Sequence, residues 1–116
     1  QVVYLLRVGE GTIALHRALT GNSSSPTCVM FSADSEFVMT NSKDMNILFW
    51  RTMDGDRQKT MSSFRDVKWQ PPWTCTLGWP VIGIWSDPEY CATSIKSCCQ
   101  SSPPDDGYVA TGDENG

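Results

Sequence analysis

An all-β fold is predicted, built from antiparallel four-stranded meanders that stack as the blades of a propeller and are present here only in part. Three observations carry this expectation. Short runs rich in Val, Ile, Leu, Thr and aromatic residues recur between clusters of Gly, Pro, Asp, Asn and Ser. No window sustains the three-four spacing of an amphipathic helix. The stretch FSADSEFVMTNSKDMNILFW, residues 31–50, fits a strand end, two turns and two further strands into twenty residues.

Taken in order, the first strands are expected over residues 2–8 and 12–19, punctuated by Gly9, Gly11 and Gly21. The third, 27–32, runs into Ser32-Ala33-Asp34-Ser35, a short hairpin turn of Asx and Ser chemistry, and 37–41 returns beside it. Asp44 falls in the next turn, where a carboxylate accepts the hydrogen bonds that hold a corner. Over 47–51, Ile47 and Phe49 alternate against Leu48 and Trp50. Further strands are expected over 57–61, 65–69, 74–77, 81–85 and 108–111. A meander of this size cannot bury both its faces alone and asks for like units on each side.

A weaker second copy supports stacking: YVATGDENG, residues 108–116, lies over FVMTNSKDM, residues 37–45, at an offset of 71. A propeller repeat takes about 40–45 residues. The second unit therefore carries an insertion, expected over 87–107 as an exposed, partly disordered loop with its Cys pair, Ser101-Ser102 and Pro103-Pro104. The expected organisation is the end of a preceding blade (1–20), one complete meander (21–56) and an irregular blade (57–116) that stops before its last strand.

With 116 residues, the chain has room for one small domain or part of one, not for separate substrate and cofactor domains. Its 40% hydrophobic and 19% charged residues, with five Trp, are globular in composition. No apolar run approaches the roughly 18 residues of a membrane span, and the start lacks the pattern of a secretory leader. A soluble, intracellular protein without membrane contact is expected. Asn22-Ser23-Ser24 matches a glycosylation sequon and is read as a polar loop.

The net charge of −4 is unevenly spread. Residues 51–68 hold five basic side chains against three acids, whereas 86–116 hold six acids against Lys96. Neither a strongly basic face nor a nucleic-acid-binding motif is present, so no nucleic-acid partner is expected.

The five cysteines are Cys28, Cys75, Cys91, Cys98 and Cys99. Their number is odd, and the first two lie in apolar strand-like runs where a free thiol packs as a small hydrophobe. No disulfide framework is expected. With one histidine and no paired C-x-x-C knuckles, no metal site is expected either.

Candidates for catalysis are weak. His16 sits in an alternating strand, Asp105-Asp106 follow Pro-Pro as a solvated turn, and Gly78 and Gly83 lack the spacing of a phosphate loop and suit close packing. No catalytic residue and no cofactor are expected. Trp50 and Trp85 end apolar strands and are expected to fill the space between blades, while Trp73 and Trp79, beside prolines, are candidates for an exposed contact surface.

Residues 31–50 resemble a WD-repeat unit, in which an F-S-x-D turn, an apolar strand, a Ser/Asp corner and a Trp-ended strand follow in order. Two positions depart: Asn22 follows Gly21 where such repeats often carry His, and Arg51 follows Trp50 where Asp is frequent. More specific are FRDVKW, residues 64–69, and TCTLGWPVIGIW, residues 74–85, with ATGD at 110–113. These resemble the echinoderm microtubule-associated protein-like family, whose atypical propellers carry such segments. The likeness weakens between 87 and 107.

That resemblance implies a non-enzymatic cytoskeletal scaffold, part of a WD-repeat propeller protein that binds tubulin or microtubules, in the cytoplasm and on microtubules, those of the ciliary axoneme included. It implies further blades of the parent chain as packing partners. Asn22, Ser42, Lys43, Arg57, Lys59 and Lys68 are the residues expected to meet the partner, the basic ones facing an acidic surface. The alternative is a general protein-interaction scaffold that uses the same loops without touching tubulin.

Overall fold

The computed structural model describes residues 1–81, 95–102, 104 and 107–113. Eight strands appear in them: β1 (Val2–Gly9), β2 (Thr12–Thr20), β3 (Pro26–Phe31), β4 (Phe37–Ser42), β5 (Ile47–Arg51), β6 (Arg57–Gln58), β7 (Ile95–Gln100) and β8 (Val109–Asp113). All strand pairings are antiparallel. They form the hairpin β1-β2, the four-stranded sheet β3-β4-β5-β6 and the hairpin β7-β8.

Local chemistry sets the turns of the central sheet. Between β3 and β4, Asp34 Oδ1 accepts from Ser32 Oγ at 2.5 Å and from the Glu36 amide at 3.0 Å, while Ser32 Oγ accepts from the Phe37 amide at 2.9 Å. Ser35 takes a left-handed φ of 62°, as a residue in such a tight reversal must. This is the hairpin turn that the Ser/Asp pattern predicts.

Strict alternation then gives the sheet two apolar faces. On one, Met30, Met39 and Phe49 join Phe64, Trp73, Cys75, Val81 and Cys98 in a core cluster. On the other, Val38 and Trp50 join Leu5 of β1 and Leu19 of β2. The meander is thus covered on both sides, by the first hairpin and by the segment that follows β6. Phe64 stacks on Phe49 with centroids 4.2 Å apart and meets Phe37 edge-on at 5.0 Å. Such aromatic pairs add to the area they bury.

Beyond β6 the chain departs from the expected strands. Residues 57–61 pair only at Arg57–Gln58, and Met61–Phe64 turn as a 3-10 helix that swings Phe64 onto the core. Residues 65–69 provide a single bridge, Trp69 to Ser32, flanked by Ala33 N–H to Lys68 O at 2.8 Å and Gln70 N–H to Phe31 O at 3.0 Å. Residues 74–77 form an irregular strap, and Trp79–Val81 a second 3-10 turn. Most of the strand expected over 81–85 lies outside the described residues. Prolines at 71, 72 and 80 remove main-chain donors along this segment, which is why it packs through side chains instead of a ladder.

The 87–107 segment is not wholly loop: Ile95–Gln100 is a strand paired with β8, with Ile95 and Cys98 buried. Residues 109–113, which form β8, are those that align in sequence with 38–42 of β4.

The expectation of free thiols at positions 28 and 75 is corrected. Alternation on β3 turns Cys28 towards the same cluster as Met30, and the strap lays the fully buried Cys75 over it. Their Cα atoms are 5.6 Å apart and the sulfurs form a disulfide, a separation within the ordinary range for a bridge. Cys98 and Cys99 are free. Burial, and then the neighbouring Cys99, push the Cys98 thiol above its ordinary range.

Candidate functional site

Two groups of polar residues organise the central blade. The first is buried. Trp50 Nε1–H donates to Thr40 Oγ1 at 3.3 Å, and the Thr40 hydroxyl donates to Asn22 Oδ1 at 3.2 Å, so the loop before β3 is tied through β4 to β5. Asn22 thus enters this network through its carbonyl oxygen. Its Nδ2 is buried without a partner, a cost that the amide leaves unrelieved.

The second group surrounds Asp44 at the β4-β5 corner. Ser42 Oγ donates to its Oδ1 at 2.5 Å, and Ser23 Oγ and Asn46 Nδ2 donate to its Oδ2. These bonds, that from Ser23 foremost and then that from Ser42, hold the Asp44 carboxyl below its ordinary value. A carboxyl depressed by folding contributes stability that is present above about pH 4 and is lost as pH falls through the depressed value. Asp44→Asn is therefore expected to lower the melting temperature at neutral pH. The gap to wild type should close as the pH is lowered; a gap that persists undiminished at pH 2 would show that the ionised form is not what holds the corner.

These two groups use two of the residues expected to face a partner. Asn22 and Ser42 are buried, 7% and 4% exposed, and spend their side chains inside the blade. Lys43, Arg57, Lys59 and Lys68 are exposed. The fold does not gather these four. Arg57 and Lys59 share a cavity of about 290 Å³ at the β5-β6 edge with Ile47, Leu48 and Met61. Lys68 borders another, about 480 Å³, with Trp69, Pro71, Trp73 and Pro80. Lys43 borders a third, about 370 Å³, with Thr27, Met45, Leu77 and Lys96.

The tryptophans divide differently from expectation. Trp50 is buried between the meander and the first hairpin, as its strand-end position predicts. Trp73 is also buried, 3% exposed, and donates Nε1–H to Cys75 O at 2.6 Å. It is core, not contact surface. Trp79 is half-buried and donates to Met61 O at 3.4 Å. Trp85 lies outside the described residues, as do Gly83, Cys91 and the Asp105-Asp106 pair. His16 is half-buried with Nε2 3.0 Å from Thr52 O, so this nitrogen carries the proton and donates. Among the described residues no three His, Cys, Asp or Glu side chains gather to hold a metal ion, and no helix is long and apolar enough to cross a membrane.

Sequence comparison agrees with this blade. The family model for the WD domain, G-beta repeat, matches residues 14–51, from within β2 to the end of β5. Human echinoderm microtubule-associated protein-like 3 is 40% identical over 82 residues, covering 70% of this chain and 9% of the relative. Echinoderm microtubule-associated protein-like 1 of Rattus norvegicus is 32% identical over 97 residues, 84% of this chain and 11% of the relative. Echinoderm microtubule-associated protein-like 4 of Xenopus laevis is 34% identical over 88 residues, 73% and 9% respectively. The chain therefore spans about a tenth of the length of the curated relatives it matches.

Proposed function

Because this chain belongs to the echinoderm microtubule-associated protein-like family as a WD-repeat segment, we propose that it is part of a non-enzymatic scaffold that binds tubulin or microtubules in the cytoplasm. The observation that carries the reading is the relatedness to proteins named as microtubule-associated. The exposed cations Arg57 and Lys59 at one edge of the blade, with Lys68 and Lys43 elsewhere on its surface, give the reading a physical basis. Exposed bases attract an acidic lattice over a Debye length of about 8 Å at physiological salt. Ser42 takes the role of holding the loop that presents Lys43, since Ser42 and Ser23 both bond Asp44 beside it, and Asn22, bonded by Thr40, holds the loop before β3.

The test is co-sedimentation of the full-length protein with stabilised microtubules. The triple change Arg57→Glu, Lys59→Glu, Lys68→Glu is expected to weaken pelleting by at least about tenfold at low salt, from roughly 0.5 kcal/mol for each exposed ion pair removed. The difference should narrow at moderate salt. Unchanged pelleting of the folded variant would move the binding surface away from these residues. Failure of the wild type to pellet would favour a scaffold for other proteins, to which the same exposed loops are suited.

A further inference from the structure

We propose that the outer edge of the four-stranded sheet, where β6 ends while β5 runs on, accepts an extended acidic peptide as an added strand. β5 has five residues and β6 only two, and their pairing stops at Phe49 opposite Gln58. The direction of the unpaired groups follows from parity. Arg51 N–H bonds Asp56 O at 2.9 Å, which places Arg51, Phe49 and then Ile47 in the positions whose N–H and C=O point to the β6 side. Thr60, which would sit opposite Ile47, instead starts the 3-10 turn of Met61–Phe64. The chain has left the sheet, and Ile47 presents its donor and acceptor beyond the last pair.

Shape and charge say what this edge suits. The cavity beside it is lined by Ile47, Leu48 and Phe49 of β5 and by Arg57, Lys59 and Met61, with no carboxylate among its lining residues. Met61 is 45% exposed there and offers an apolar seat. Of the two acids of the same hairpin, Asp54 is engaged in its turn, accepting from Arg51 Nη1 at 2.9 Å and from the Asp56 amide at 3.0 Å, and Asp56 enters the turn through its main chain. A peptide laid along β5 would gain main-chain hydrogen bonds from the edge. Alternate side chains share one face, and carboxylates at those positions would meet Arg57 and Lys59 at the cavity. In a propeller the fourth strand of a blade lies at the rim, so neighbouring blades cover the faces of this sheet and leave this edge open.

The inference rests on the scaffold reading in assigning Arg57 and Lys59 to an acidic partner, and adds main-chain pairing to it. The probes are a ten-residue peptide of alternating Glu and Val and its counterpart with every backbone amide N-methylated, which keeps the charge and removes the main-chain donors. Each is titrated by fluorescence anisotropy into the full-length protein and its Arg57→Glu, Lys59→Glu variant. The unmodified peptide is expected to bind wild type at least tenfold more tightly than the methylated one and to lose binding to the variant. Equal binding of both peptides, or of neither, overturns the added strand. Because pelleting with microtubules is read separately, a failure here with charge-sensitive pelleting intact removes only the strand pairing, and a failure of pelleting with the peptide preference intact removes only the microtubule reading.

Discussion

Gly78→Ala is expected to destabilise the protein by about 4 kcal/mol, the sum of an overpacked core and a backbone conformation that a side chain resists. Gly78 has φ 152°, and a Cβ placed on it would lie 2.4 Å from two ring carbons of Trp73. The ring cannot swing away cheaply. Trp73 is buried beside Cys75 and Met39 in the larger core cluster, and its indole N–H is held by Cys75 O. Gly11→Ala is the matching control, because Gly11 also has a left-handed φ, 65°, but its Cβ would meet nothing within 4 Å. That change should cost only about 1 kcal/mol, the backbone part alone. Denaturation midpoints followed by tryptophan fluorescence compare the two. Equal losses for both variants would mean that close approach to Trp73 contributes nothing.

What the sequence made legible is what short-range physics decides. The meander over 27–51 could be read because alternation and turn residues act within a few positions: Ser32 and Asp34 build their own turn, and Asp44 its own corner. Long-range placement could not be read the same way. Asn22 and Ser42 look like loop surface in the sequence, yet Asn22 is buried by a bond to Thr40, eighteen positions on, and Ser42 by the corner closing over it. Ile95–Gln100, IKSCCQ, alternates weakly and sits before Ser and Pro, so its strand character comes from pairing with β8 and from burying Ile95 and Cys98. Residues 65–69 show the reverse. Their apolar alternation is real, but Phe64 and Val67 are used to pack against the sheet and only Trp69 bridges to it. The separation of Arg57 and Lys59 from Lys68 and Lys43 had no local signal, since four cations say nothing of which edge each will occupy.

The crosslink between Cys28 and Cys75 is the clearest case of information absent from local pattern, and it carries the second large effect. An odd number of cysteines in apolar runs gives no reason to join two of them 47 positions apart. The fold supplies the reason by laying the strap over β3 with Leu77 N–H bonded to Asn41 Oδ1 at 3.0 Å, so that both ends of the strap are fixed to the meander. Closing a loop of this length restricts the unfolded chain by about 4 kcal/mol in the chain-entropy account. Cys28→Ala is therefore expected to lose about 4 kcal/mol relative to wild type in buffer without reductant. Cys28 is half-buried, so only a small packing term should survive when a phosphine reductant opens the bond in wild type. The comparison separates crosslink from packing: a gap that collapses on reduction assigns the loss to the bond, whereas a gap unchanged by reductant assigns it to the missing sulfur alone. Non-reducing peptide mapping after alkylation supplies the independent check, for if both thiols are alkylated in untreated protein the bond is not formed in solution. The glutathione pool of a cytosolic compartment keeps most thiols reduced, so the same measurement on protein taken directly from cells decides whether the strap is locked there or held by its hydrogen bonds and by Trp73 alone.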